Sequence, residues 1–338
     1  MGKFLEEEKR RLIAFRATSP DLSPEARFEG VFKGKPRPFC IPIGCSSQNL
    51  FSGIRQEAIE YFKEARIPWH QGFAGGPSNH LCDSQVACVN FLLPFSNNQE
   101  ALGALLRPHY PQARRFLSME SSDHLVSFEW IGAENYLHER VAGQARTRGA
   151  NATSADAAVM FEREDGKKEI VLIEWKYTES YGGASLLFAP SGTDRSKTYR
   201  PLLGRRDCPI DMARVPDADV SALFYEPFYQ FMRQQLLAHE MERAKELGAD
   251  IVRVLHIAPA QNTDFRRITS PSLRHLGATA VEVWKRLVRP DDRFQSVSTE
   301  SLFGNSRLED FPALARWREY INERYSWLSQ DSPPLANA

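Results

Sequence analysis

Residues 156–177 read DAAVMFEREDGKKEIVLIEWKY, two apolar runs on either side of Glu164-Asp165-Gly166. Each run has the length of a strand and is rich in β-branched and aromatic residues, and a short Gly-containing gap between such runs predicts a hairpin. Within VLIEWKY the two-residue period puts Leu172, Glu174 and Lys176 on one face, with Val171, Ile173, Trp175 and Tyr177 on the other. A carboxylate and an ammonium thus emerge side by side from an otherwise apolar strand. Burying charge there is costly unless it is paired or meets a metal. Asp156 poses the same question at the start of the preceding run.

The turn decides whether these side chains can meet. A two-residue turn at Asp165-Gly166 would set Asp156 opposite Trp175 and send the carboxylates to opposite faces. A loop of Glu164-Asp165-Gly166, with Gly166 as the left-handed residue, pairs Arg163 with Lys167 and hence Asp156 with Glu174. In that register Asp156, Glu174 and Lys176 share a face.

Outward from the hairpin, HLVSFEWI at 124–131 predicts a strand before it. PFYQFMRQQLLAHEMERAKELG at 227–248 is the clearest helix, with Pro227 suited to its first turn and Gly248 just beyond its last, and IVRVLHIAP reads as a strand after it. Residues 182–219 have no period and read as a mobile or functional insertion. Upstream lie a charged helix over 1–17, a surface helix in FSGIRQEAIEYFKEA, the Gly-rich loop WHQGFAGGPSN, a buried helix in HLCDSQVACVNFLLPF and a further helix at NNQEALGALL. Downstream, FQSVSTESLF suggests another strand, FPALARWREYINERYSWL an amphipathic helix, and the tail after Asp331 disorder. The division expected is a helical N-terminal extension over 1–79, a core over 80–260 and a C-terminal extension over 261–338 packed on that core.

A chain of 338 residues with 42% hydrophobic content can fill a substantial core. Its 43 basic and 43 acidic residues cancel, so contact with a nucleic acid has to come from local clusters. The five cysteines follow no disulfide spacing, the start is too charged for a secretory leader, and no apolar run approaches a membrane span. A cytoplasmic protein with reduced thiols and no membrane contact is expected.

Two carboxylates held together repel unless a divalent cation sits between them, and oxygen ligands with free water positions suit Mg²⁺ or Mn²⁺. Phosphodiester hydrolysis is the natural reaction for such an ion beside a lysine. An Asp followed, after a hairpin, by Glu-x-Lys resembles the signature of the PD-(D/E)XK nucleases, here SAD at 154–156 and EWK at 174–176. RGANATSADAAVMF, IEWKYTESY and FYQFMRQQLLA further resemble a bacterial group described as restriction endonucleases of that superfamily. Where a proline often precedes the Asp, Ala155 stands. The resemblance implies an α/β, restriction-endonuclease-like core with a four-stranded mixed sheet flanked by helices. It implies an Mg²⁺-dependent endodeoxyribonuclease in which Asp156 and Glu174 hold the metal and Asp156, Glu174 and Lys176 are catalytic. DNA is the expected partner, with a homodimer as the assembly. The rival reading is a catalytically silent nucleic-acid-binding module on the same fold.

Among accessory candidates, Gln230 and Gln234 lie one helical turn apart, and Gln234 resembles an amide that in relatives reaches the site. Glu129 breaks an apolar strand and stands ahead of Glu134 and Glu139 as a further carboxylate. Arg146 and Arg148 are the expected DNA-phosphate contacts, ahead of clusters at 195–206 and 266–274. The cysteines near His80 match no zinc spacing.

Overall fold

The computed structural model describes residues 2–140, 145–304 and 306–329, so the tail after Asp331 lies outside the described residues. A small hairpin of β1 (Gly30–Phe32) and β2 (Lys35–Arg37) stands apart from one six-stranded sheet. The sheet comprises β3 (Ala113–Leu117), β4 (Val126–Trp130), β5 (Ala155–Arg163), β6 (Lys168–Trp175), β7 (Ile251–Ala258) and β8 (Phe294–Ser298). Pairing is antiparallel from β3 and β4 to β5 and from β5 to β6, then parallel from β6 to β7 and β7 to β8. The expected four strands are therefore six. β5 is nine residues long, and its outer edge carries β3 beside 160–163 and β4 beside 155–159, end to end. β3, whose sequence is ARRFL, is too short and too charged to show an alternating pattern. β8, inside the segment expected to pack on the core from outside, extends the sheet itself.

Nine α-helices are described: α1 (Lys3–Thr18), α2 (Arg55–Glu64), α3 (Ser84–Leu92), α4 (Gln99–Leu106), α5 (Ser196–Leu203), α6 (Phe228–Ala244), α7 (Ala280–Leu287), α8 (Thr299–Gly304) and α9 (Ala315–Arg324). The period of the central strands sorts them into two layers. Val159, Phe161, Val171, Ile173 and Trp175 face a core shared with α1, α3, α4 and α9. Ala158, Met160, Ile170 and Leu172 face a second core built on α5, α6 and α7. α3 is apolar all round and buried, as its sequence predicts, with Asp83 capping it by accepting from the Val86 N–H at 2.9 Å.

The chain ends close the back of the sheet. Tyr177 Oη donates to the buried Glu8 carboxylate at 2.6 Å, and Trp327 Nε1 donates to the same oxygen at 3.0 Å. The insertion at 182–219, read from its lack of a period as mobile or functional, contains α5, whose Tyr199, Leu202 and Leu203 are buried in the second core. Eight residues interrupted by Pro201 are too few to declare a helical period.

Candidate active site

The hairpin forms in the bulged register. The Arg163 N–H donates to the Lys167 carbonyl at 2.8 Å, the Gly166 N–H donates to the Arg163 carbonyl at 3.0 Å, and Gly166 takes φ +80°. Glycine suits this position because left-handed backbone carries no steric cost without a Cβ. The ladder then runs from Glu162 opposite Lys168 to Ala157 opposite Ile173, so the next rung sets Asp156 opposite Glu174. Both carboxylates and Lys176 fall on the face covered by α6, around a cavity of about 230 Å³.

Each oxygen of Glu174 is engaged. Oε1 accepts from Lys176 Nζ at 2.6 Å, and Oε2 accepts from Gln234 Nε2 at 2.7 Å. Gln234 Nε2 also donates to the Ser154 carbonyl at 2.6 Å, while its buried Oε1 has no partner among the described residues. Asp156 Oδ2 accepts from the Trp175 N–H at 2.7 Å. Desolvation, then the charge of Glu174, pushes the Asp156 carboxyl well above the usual carboxylate range. For Lys176 burial works the other way, yet the attraction of Glu174 holds the ammonium well above its ordinary value.

Glu129 approaches from β4. Its neighbours pair as Phe128 with Ala157 and Trp130 with Ala155, but Glu129 itself takes φ +50°. A non-glycine residue held there carries strain of about 1–3 kcal/mol. Its carboxylate accepts from Gln85 Nε2 at 2.7 Å and from Ser154 Oγ at 2.8 Å, and burial pushes its pKa upward.

Among the described residues no three His, Cys, Asp or Glu side chains converge as a metal-ligand set. Among the oxygens at the cavity are the carboxylates of Asp156 and Glu174, the latter accepting from Lys176 and Gln234, and the unpartnered Gln234 Oε1. Because the Trp175 N–H points to Asp156, the carbonyl of the same strand residue also faces β5. An all-oxygen set with two carboxylates and open positions fits Mg²⁺ or Mn²⁺, which are bound through one or two carboxylates while keeping several waters. Burial pushes the Cys40 thiol up to about 12 and raises those of Cys82 and Cys88, consistent with inert core thiols.

Arg146 and Arg148, expected beside phosphates, are engaged inside the protein. Arg146 donates to the carbonyls of Ile131, Gly132, Ala133 and Glu134 at 2.5–3.1 Å, clamping that turn. Arg148 pairs with Glu120, donates to Tyr61 Oη at 3.1 Å and lies over the Trp130 ring. Glu139 accepts from Thr153 and Tyr199, and Glu134 offers the Arg146 clamp only its backbone carbonyl. Arg205 in the insertion pairs with Asp207 and Glu240.

Arg233 is the cavity residue that sequence reasoning missed. Its Nε donates to Thr153 Oγ1 at 2.8 Å and to Glu139 Oε1 at 3.3 Å, an ion pair, and its two terminal nitrogens have no hydrogen bond among the described residues. Gln230, Arg233 and Gln234 are spaced i, i+3, i+4, so all three share the α6 face over the cavity. That spacing was the available signal.

A mixed sheet with two carboxylates and a lysine around one cavity is a nuclease-like arrangement. The family described as REase-ARP, Restriction Endonuclease associating with ARP, matches residues 9–326, and the chain belongs to it. No curated protein and no solved structure matches. No helix of the described residues is long and apolar enough to cross a membrane.

Proposed function

We propose that this chain is a PD-(D/E)XK endonuclease that hydrolyses DNA phosphodiester bonds with Mg²⁺ or Mn²⁺ held by Asp156 and Glu174. One observation carries the reading: the hairpin register brings both carboxylates, Lys176 and Gln234 to one cavity on the α6 face. A bound cation would supply Lewis acidity toward a phosphate oxygen and lower the pKa of the attacking water. Gln234 fixes the Glu174 carboxylate by bonding both it and the Ser154 carbonyl. Lys176 holds a permanent positive charge where negative charge develops on the phosphate. Arg233 offers its unbonded terminal nitrogens to a non-bridging phosphate oxygen. Restriction or a related DNA-processing role in the cytoplasm, as a homodimer, is the setting. ARP, named in the family description, is a second partner.

The rival, a silent DNA-binding module, is favoured by one observation, the direct Lys176–Glu174 ion pair. Purified protein incubated with plasmid, linear and single-stranded DNA in Mg²⁺, Mn²⁺ and EDTA separates the two. Cleavage in either metal, lost in EDTA and in Asp156→Ala, is expected. Binding without cleavage under every condition overturns the nuclease reading in favour of the rival.

A further inference from the structure

A groove of about 720 Å³ is lined by α2, the loop that follows it and Thr147, within the size range of ligand sites, and none of its residues has a role so far. Its walls come from α2 and the loop that follows it. Trp69 stacks on Phe62 at 3.8 Å between ring centroids and 10° between planes, and the Trp69 indole N–H is buried without a partner among the described residues. A buried donor left unpaired is unfavourable unless a ligand meets it. Lys63 and Arg66, both exposed, stand on the lining. Phe73 is 58% exposed in the same loop.

The loop backbone is strained. Arg66, Gln71 and Ala74 all take φ between +50° and +54°, a conformation that non-glycine residues hold at a cost and that clusters at ligand clamps. The groove is also tied to the catalytic centre. Thr147 lines it, and two residues on, Gly149 lines the cavity around Asp156. Gln85 joins the loop to the Glu129 side chain, its Nε2 donating to Glu129 Oε1 at 2.7 Å while its Oε1 accepts from the His70 N–H at 2.7 Å.

We propose that this groove receives an unpaired nucleobase of the strand whose phosphate enters the catalytic cavity. The indole N–H of Trp69 donates to an acceptor on the base edge, Phe73 covers the base, and Lys63 and Arg66 hold the adjoining phosphates. Charge complementarity and continuity with the cavity select a nucleotide over an apolar peptide, which would leave Lys63 and Arg66 unpaired. The assignment rests on DNA being the substrate but not on cleavage.

The test is fluorescence anisotropy of the full-length protein in EDTA, with an end-labelled single-stranded DNA and the same strand carrying a central run of abasic sites. The intact strand is expected to bind about ten-fold more tightly than the abasic one, the size of one stacked base. Trp69→Phe, which keeps the ring stack on Phe62 but removes the N–H, and the surface change Phe73→Ala should each narrow that difference. Lys63→Ala with Arg66→Ala should weaken both strands alike and flatten the salt dependence. Equal affinity for the two strands, a difference untouched by Trp69→Phe and Phe73→Ala, or no binding at all would each overturn the groove assignment. Cleavage in Mn²⁺ is scored separately, so a failed groove and a failed nuclease reading give different results.

Discussion

The ammonium of Lys176 lies 2.6 Å from Oε1 of Glu174, and both side chains are buried. Removing one partner of a buried ion pair leaves an uncompensated charge and costs about 3–5 kcal/mol. Lys176→Ala should therefore lower the stability of the metal-free protein by about that much. A bound cation would replace one positive charge by another beside Glu174, so Mn²⁺ should raise the melting temperature of Lys176→Ala more than that of the wild type. Cleavage should fall at least about a hundred-fold with the loss of charge stabilisation. Thermal denaturation with and without Mn²⁺, read beside a cleavage assay, checks both halves. Full cleavage by Lys176→Ala removes the role assigned to the ammonium.

Asp156→Asn separates the fold from the metal. The substitution keeps an oxygen for the Trp175 N–H and deletes the anion that desolvation and Glu174 both disfavour. The metal-free variant should be more stable by about 1 kcal/mol, as exchanges of function for stability commonly are. Calorimetric Mn²⁺ titration should show binding greatly weakened. Wild-type affinity in Asp156→Asn would exclude that carboxylate as a ligand.

The raised pKa of Asp156 also sets a pH dependence. Below that folded-state value the carboxyl carries a proton, and a cation can bind only as the proton leaves. Mn²⁺ affinity should rise with pH through a window that begins above the ordinary Asp value of about 3.9, then level off once Asp156 is ionised. Calorimetry in two buffers of different ionisation enthalpy should show proton release that disappears on the plateau. In Asp156→Asn any residual binding should lose most of this dependence. Affinity that falls as pH rises across the window contradicts the assignment.

Local chemistry made the hairpin legible: Gly166 at the end of a three-residue loop fixed its register, and with it the shared face of Asp156, Glu174 and Lys176. Gln234 was legible through its resemblance to an amide of relatives and its place one turn from Gln230 on the helix after the hairpin. β3 was not, because ARRFL is stabilised by its pairing with β5 rather than by any pattern of its own. The intramolecular partners of Arg146 and Arg148 were not legible for a related reason: a guanidinium beside a site looks the same in sequence whether it meets a phosphate, four backbone carbonyls as Arg146 does, or a carboxylate as Arg148 does. Distant partners such as Gln85, which reaches Glu129 across 44 residues, leave no local trace.

Gly149 connects these layers and gives the sharpest test of the site's geometry. It takes φ +66°, and a Cβ built on it would stand 2.9 Å from Cδ of Glu129. Alanine there should cost about 1–2 kcal/mol from the left-handed backbone alone. The contact adds to this, because Glu129 is held from both sides by Gln85 and Ser154 and has little room to retreat. Displacing it also disturbs Ser154, whose carbonyl anchors the Gln234 amide that holds Glu174, so cleavage should drop although Gly149 is no metal ligand. If the clash is the cause, Glu129→Ala should relieve it. The double variant Gly149→Ala/Glu129→Ala should then be more stable than the sum of the two single losses predicts, by about 0.5–3 kcal/mol for residues in contact. Urea denaturation of the four proteins measures this coupling. Strict additivity would mean that Gly149 is required for its backbone conformation alone.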